Sequence, residues 1–236
     1  MKFPDPLIRG RLIKRYKRFL ADVELEDGNT VTAHCPNSGS MLSVKEPGSE
    51  VWLSPAKNTN RKLGYTWELI TVDNTLVGIN TALPNGIVEE AITSGKIPEL
   101  DGYASLRREV KYGQNSRIDI LLEDPSLPDC YVEVKSVTLK RESKKTCPVE
   151  FPDSVTTRGT KHLVELSNMI AQGFRCVMFY LVQRQDSDIF TIAADIDPAY
   201  KAAIDEAMNV GVEILCYRCT LNTKKIEISE SLKLLI

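Results

Sequence analysis

A two-domain α/β (α+β) chain is predicted, with an OB-like β-barrel over residues 1–82 and a mixed-sheet α/β domain over residues 83–236. Three observations predict it. Short β-rich runs punctuated by turn residues fill the first eighty positions, as in a small closed or half-closed barrel. After Pro84-Asn85-Gly86 the order becomes helix-β-β-β-helix-β-helix-β, the pattern of a mixed sheet with helical layers. Two adjacent strands of that second half carry an Asp, a Glu and a Lys among apolar neighbours.

In the first half, residues 7–26 read as a long, broken extended stretch closed by the hairpin signal Asp27-Gly28-Asn29. Thr30-Val31-Thr32-Ala33-His34-Cys35 continues as a strand and stops at Pro36-Asn37-Ser38-Gly39. Pro47-Gly48 marks a turn before Glu50-Val51-Trp52-Leu53-Ser54, and strands follow over 66–72 and 76–80. Trp52 is expected inside and Trp67 on the surface. An SH3-like barrel is the neighbouring alternative.

In the second half, residues 87–92 form a short helix with Asn85 as N-cap and a stop near Gly95. Strands are expected over 106–112, 117–122 and 131–139, and the polar, Lys-rich residues 140–153 as a mobile loop. Leu163, Leu166 and Ile170 recur at helical spacing, predicting a helix over 154–172 with Gly173 just past its end. The apolar run 176–183 is a buried strand. A helix over 198–211 and a strand over 212–221 follow.

The formal net charge is -2, so affinity for a polyanion must come from local patches. Residues 1–80 carry 11 Lys/Arg against 9 Asp/Glu, and the rest 19 against 23, which places the basic surface on the barrel. No apolar run is long enough for a membrane span and the N-terminus lacks a signal-peptide core, so a cytoplasmic protein is expected. The six cysteines do not form a disulfide framework. Cys216 and Cys219 lie three apart on a predicted strand, facing opposite sides, with no second pair to complete a zinc site.

Residues two apart on a strand share a face, so Glu133 and Lys135 project to the same side. In the obvious hairpin register Asp119 stands beside them. Hydrolysis of a phosphodiester needs an activated water, an offset for negative charge and a stabilised leaving oxygen. A divalent ion held by a few hard oxygen ligands supplies much of this. Asp119 and Glu133 suit Mg²⁺ or Mn²⁺, the Val134 carbonyl is a third ligand, and Glu90 on the first helix a fourth. Lys135 stands next to the attacking water. The competing interpretation is a structural Asp119–Lys135 ion pair.

Six basic residues fall within ten positions: Arg9, Arg11, Lys14, Arg15, Lys17 and Arg18. With Tyr16 interleaved, Arg15, Lys17 and Arg18 suit a nucleic-acid backbone and its bases, and Arg61 and Lys62 extend the surface. A solvated edge strand is the alternative. The loop Pro36-Asn37-Ser38-Gly39-Ser40-Met41 either approaches a phosphate or is a tight barrel turn.

Asp119, thirteen residues, then Glu133-Val134-Lys135 resembles the signature of the PD-(D/E)XK nuclease superfamily, whose core has the same order of helix, three strands, helix and strand. The whole chain is similar to the sugar fermentation stimulation protein A (SfsA) family. The similarity is carried by residues 15–23, 34–41, 66–69, 109–113, 116–119, 130–139 and 151–163, the last including Thr157-Arg158-Gly159-Thr160-Lys161-His162. It implies an OB-like N-terminal domain, a PD-(D/E)XK nuclease-like C-terminal domain, DNA binding and a link to regulation of sugar (maltose) genes. In that superfamily the helix after the third strand often adds polar residues to the site. Arg158, Lys161 and His162 are therefore candidate phosphate contacts, against an ordinary solvated helix start.

No Walker loop, G-x-S-x-G elbow or dinucleotide fingerprint is present, which removes nucleotide hydrolysis, esterase and dehydrogenase readings. Two remain. One is a DNA-binding Mg²⁺-dependent endonuclease with Asp119, Glu133 and Lys135 as its catalytic residues. The other is a non-catalytic DNA-binding transcriptional regulator of sugar metabolism. For both, the expected partner is DNA, double-stranded in preference to single-stranded, through backbone-led contacts; a homodimer is compatible.

Overall fold

The computed structural model describes residues 1–57, 61–113 and 116–236. The first six strands are β1 (Ile8–Tyr16), β2 (Leu20–Leu25), β3 (Thr30–His34), β4 (Glu50–Pro55), β5 (Tyr65–Val72) and β6 (Thr75–Gly78). β1 pairs antiparallel with both β2 and β4, β2 with β3, and β4 with β5. A parallel bridge, His34↔Thr66, joins β3 to β5 and closes a five-stranded barrel. Gly10 permits the crossing of β1 over β2, since a Cβ there would stand 2.5 Å from Val23 Cγ1.

The barrel core is small-branched and sulfur-rich: Leu12, Val23, Met41, Val51, Leu53 and Ile70 are fully buried around Trp67. The tryptophans are thus reversed from expectation. Trp67 is buried and donates from Nε1 to the Leu69 carbonyl at 2.9 Å, whereas Trp52 is half-buried. In β4 the alternation turns Val51 and Leu53 into the barrel, so Trp52 falls on the outer face, where it packs against the second domain's core.

The second domain contains α1 (Pro84–Thr93), β7 (Ser105–Tyr112), β8 (Ser116–Asp124), β9 (Leu127–Val137), β10 (Val149–Phe151) and α2 (Thr157–Ile170). It continues with β11 (Arg175–Val182), β12 (Ile189–Ile192), α3 (Pro198–Val210), β13 (Glu213–Leu221), β14 (Ile226–Ser231) and β15 (Lys233–Leu235). Six strands form one mixed sheet in the order β14-β13-β11-β9-β8-β7, and β10, β12 and β15 form a small parallel one. β11 pairs in parallel with both β9 and β13 and is buried along nearly its whole length, as a strand covered on both faces must be. α1 covers one face through Ile87, Val88 and Ala91. α2 and α3 cover the other through Leu163, Leu166 and Ile204.

Several elements depart from the sequence expectations. Pro84 opens α1 where its missing N–H is harmless, so Asn85 lies inside the helix instead of capping it. Thr156 caps α2, its Oγ1 accepting from Gly159 N at 3.1 Å, which delays the start to Thr157. Residues 140–153 are not simply a loop: they contain β10, and Lys140 is buried with its ammonium on Asp186 at 3.1 Å.

The two domains are tied together by backbone contacts. Gly78 N donates to the Gln183 carbonyl at 2.8 Å, an approach that a side chain on Gly78 would obstruct. Met41 N donates to Asp153 Oδ2 at 2.7 Å. Among the described residues no helix is long and apolar enough to cross a membrane.

Candidate functional site

β8 and β9 pair at Ile120↔Val132 and Leu121↔Tyr131, which sets Asp119 opposite Glu133. There the ladder opens. Asp119 Oδ2 accepts from Val134 N at 2.8 Å, replacing a backbone carbonyl with a carboxylate. On the other flank Glu109, in register with Asp119, has φ 54, a left-handed conformation rare for a non-glycine strand residue. Both strands change face at this point. Leu106 and Ile120 pack towards α1, whereas Val110, Tyr112 and Ile118 pack towards α2. This local twist is what brings the Asp119 carboxylate alongside β9.

Asn85 of α1 donates to Asp119 Oδ1 at 2.8 Å. Glu90 does not fill the role expected of it. Its carboxylate is half-exposed and holds the Met1 ammonium at 2.7 Å, while the shorter Asn85, one turn earlier, reaches Asp119. Glu133 is 2% exposed. Its Oε1 accepts from Lys135 Nζ at 2.7 Å and from His162 Nδ1 of α2. Arg158 Nε donates to His162 Nε2 at 3.3 Å, so the network assigns the ring proton to Nδ1, facing Glu133.

Asp119, Glu133, Lys135, His162 and Arg158 therefore converge, but with a changed role for His162. It is 4% exposed and orients the Glu133–Lys135 pair. Lys161 lies on the outer side of α2 with its Nζ 3.6 Å from Glu165 Oε1.

The electrostatics follow from burial. Desolvation, then the neighbouring Glu133 charge, pushes the Asp119 carboxyl up to about 6, against the opposing pull of the Val134 and Asn85 hydrogen bonds and Lys135. Burial also raises Glu133, yet Lys135 and His162 outweigh it and hold the group below its usual value. Tyr112 is raised by burial and by the charges of Glu133 and Glu165.

Six buried side-chain polar atoms among the described residues have no hydrogen-bond partner, and four of them surround this site: Glu133 Oε2, both carboxylate oxygens of Glu165, and the Tyr112 hydroxyl. Neither Glu165 nor Tyr112 was assigned from sequence. The available signal for Glu165 was its spacing, three residues after His162 and so on the same helical face.

The basic barrel residues divide in two. Arg15 is engaged by carbonyls: Nη2 donates to Asn37 and Gly39, both at 2.9 Å, and Nε to Arg18 at 3.2 Å. Tyr16 donates to Asp22 at 3.0 Å, with Lys14 Nζ 5.3 Å from its ring centre. Lys17 and Arg18 are exposed at the β1–β2 tip, both in left-handed backbone (φ 49 and 62). Arg61 and Lys62 are exposed just before β5. The Pro36–Met41 loop is a joint, because Asn37 is buried and donates to the Ile79 carbonyl at 3.0 Å while Met41 reaches Asp153.

A closed five-stranded barrel followed by a mixed-sheet, endonuclease-like α+β domain defines the class of protein. Residues 13–79 match the SfsA N-terminal OB domain, and residues 82–225 the sugar fermentation stimulation protein RE domain. The chain is 60% identical over 229 residues to a sugar fermentation stimulation protein homolog of Rhodospirillum rubrum, covering 94% of each. It is 58% identical to one of Rhodospirillum centenum, covering 99% of each. A solved structure of SfsA from Pyrococcus furiosus in complex with Ca²⁺ superposes with TM-score 0.88 at 26% identity, over 100% of this chain and 98% of that one. The chain belongs to the sugar fermentation stimulation protein (SfsA) family.

The donor set suits a hard divalent ion. Asp119 and Glu133 offer carboxylate oxygens, and Glu133 Oε2 is buried without a partner. Among the described residues no three His, Cys, Asp or Glu side chains form a ready-made metal cage. A pair of carboxylates with open positions is nonetheless how Mg²⁺ is commonly held at phosphate-handling sites.

Proposed function

We propose that the protein binds DNA and that its second domain is a divalent-cation-dependent endonuclease centre. One observation carries this reading: three buried polar atoms with neither hydrogen bond nor ion pair, Glu133 Oε2, Glu165 Oε2 and the Tyr112 hydroxyl, accompany two carboxylates and a lysine. Buried polar groups are nearly always satisfied, and exceptions mark a ligand or a chemical role. The Ca²⁺ complex of the Pyrococcus furiosus relative supports a divalent ion. Mg²⁺ or Mn²⁺, held by Asp119, Glu133 and the Val134 carbonyl, would supply Lewis-acid stabilisation and a more acidic water.

The chain's own groups do the rest. Lys135 offsets charge on the phosphate and orients the attacking water. His162 holds Glu133 and is itself held by Arg158, whose cation faces the phosphate from α2. Lys161, Lys17, Arg18, Arg61 and Lys62 contact the backbone of duplex DNA, and Arg15 and Tyr16 support that surface from beneath. The compartment is the cytoplasm, where the six unpaired cysteines stay reduced.

A second reading, a non-cleaving DNA-binding regulator of sugar metabolism, draws on the fact that Glu133 Oε1 is already engaged by Lys135 and His162. Incubating the protein with circular plasmid and short duplexes in EDTA, Mg²⁺ or Mn²⁺ separates the two. Cutting is expected only with the cation. Asp119→Ala and Lys135→Ala should each slow it by about 10²–10⁴-fold without abolishing binding. Binding by every variant with no cutting in any cation would establish the regulator and remove the nuclease.

A further inference from the structure

A cleft of 910 Å³ opens between α2 and the end of β7. Its volume lies within the range of small-ligand pockets, about 300–1,000 Å³. Part of its wall is aromatic. The Tyr131 ring centre lies 5.7 Å from that of Tyr112 and 5.3 Å from that of Phe174, and Tyr131 and Phe174 are only half-buried, so ring surface faces the opening. Lys111 and Lys161 stand on its rim. Glu165, 6% exposed, also lines it; neither carboxylate oxygen is hydrogen-bonded, and Oε1 lies 3.6 Å from the Lys161 ammonium. The cleft and the phosphate site share α2: Lys161 and Glu165 line the cleft, and His162 between them bonds Glu133.

We infer that this cleft takes one unpaired nucleobase of the bound DNA, stacked on Tyr131 and Phe174, with Glu165 accepting hydrogen bonds from its amino edge. The inference rests on the DNA-binding reading and narrows its substrate to duplexes carrying an unpaired or extruded nucleotide. Aromatic faces stack on any base, and rim cations suit the phosphates on either side of it. The buried carboxylate adds a preference. It only accepts hydrogen bonds, so it favours adenine, cytosine and guanine, each with an exocyclic amino group. Thymine presents one ring N–H between two carbonyl oxygens and is disfavoured. In a duplex both faces of a base are covered by its stacked neighbours, which is why the base must be out of the helix to lie on Tyr131 and Phe174.

The test measures affinity of the full-length protein, in EDTA, for short duplexes with a single-nucleotide bulge of cytosine, thymine or an abasic site. The abasic bulge should bind about tenfold more weakly than cytosine, with thymine close to the abasic value. Glu165→Gln, which adds a donor, should bring thymine level with cytosine. In the unmodified protein, a 2-aminopurine bulge should lose fluorescence on binding through stacking, a readout that needs no variant to fold. Equal affinity for all bulges with unquenched 2-aminopurine overturns the inference and leaves DNA binding intact. Failure to bind any DNA overturns the functional reading and this inference with it. Competition by free deoxycytidine monophosphate equal to that of bulged DNA would assign the cleft to a nucleotide instead of a strand.

Discussion

Two buried charge clusters sit in the same domain and differ in how completely they are satisfied. In the first, Arg184 (1% exposed) donates from Nε and Nη2 to the two oxygens of Asp186 at 2.7 and 2.8 Å, and from Nη1 to the Thr138 carbonyl at 2.8 Å. Lys140 adds a further bond to Asp186 Oδ2 at 3.1 Å. Bidentate pairing of this kind fixes geometry as well as charge. In the second, around Asp119 and Glu133, four buried polar atoms have no hydrogen bond, and only one of them, Glu165 Oε1, has an ion pair, with Lys161 at 3.6 Å. The first cluster is complete within the protein. The second is complete only with something added, and that difference separates a structural use of buried charge from a functional one.

Removing one member of each cluster tests the contrast most strongly. Arg184→Met leaves Asp186 underpaired and the Thr138 carbonyl without its donor, and should cost about 3–5 kcal/mol of stability. Glu165→Gln removes a buried carboxylate without hydrogen bonds, whose ion pair with the half-exposed Lys161 is worth about 1 kcal/mol at most, and should be close to neutral. Urea denaturation of both variants checks this. Equal losses would mean that the two clusters are alike and that the unpaired atoms mark nothing.

The pH dependence sharpens the same comparison, because the signs are opposite. Asp119 rises from 3.8 to about 6 on folding, so the native state holds its proton more tightly. Its contribution is fully present below about pH 4 and is lost as pH rises through 6, about 3 kcal/mol in all. For Asp186 burial is outweighed by Arg184 and Lys140, which lower it, so its contribution is present above the usual carboxylate range and lost as pH falls. In EDTA, Asp119→Asn should flatten the decline in unfolding free energy between about pH 4 and pH 7, and Asp186→Asn should not. An unchanged slope in Asp119→Asn would show that its carboxyl is not desolvated.

How much of this was legible in the sequence depends on the range of the interaction involved. Glu133 and Lys135 share a face by the period of a strand, and Asp119 follows from the hairpin register, so strand periodicity alone was enough to single out that trio. The distortion at Glu109 and Asp119 has no local signal, since neither residue favours a left-handed or face-switching backbone. Glu90 attracted attention as a carboxylate on the right helix, but helix phase and the Met1 ammonium decide where it points. Asn85 resembled a cap because a capping and a ligand-holding Asn look identical in one dimension. Glu165 and Tyr112 are ordinary residues on an amphipathic helix and a strand, and only burial without hydrogen bonds distinguishes them. The short strands β10, β12 and β15 pair across long separations that no window of sequence spans.

The same contrast between completed and open charge recurs on the barrel, with smaller consequences. Arg15 is spent on the carbonyls of Asn37, Gly39 and Arg18, whereas Lys17 and Arg18 are exposed at the hairpin tip. Arg15→Ala should therefore act through the loop, lowering stability by about 1–3 kcal/mol as those carbonyls lose their donor. Lys17→Ala with Arg18→Ala should leave stability unchanged, weaken duplex binding and reduce the slope of log affinity against log salt by about two. Fluorescence anisotropy across a salt series measures that slope. Because each phosphate contact releases counterions independently of sequence, the loss should be uniform over different duplexes. An unchanged slope in the double variant would take the hairpin tip out of the DNA-binding surface and leave Arg61, Lys62 and α2 to carry it.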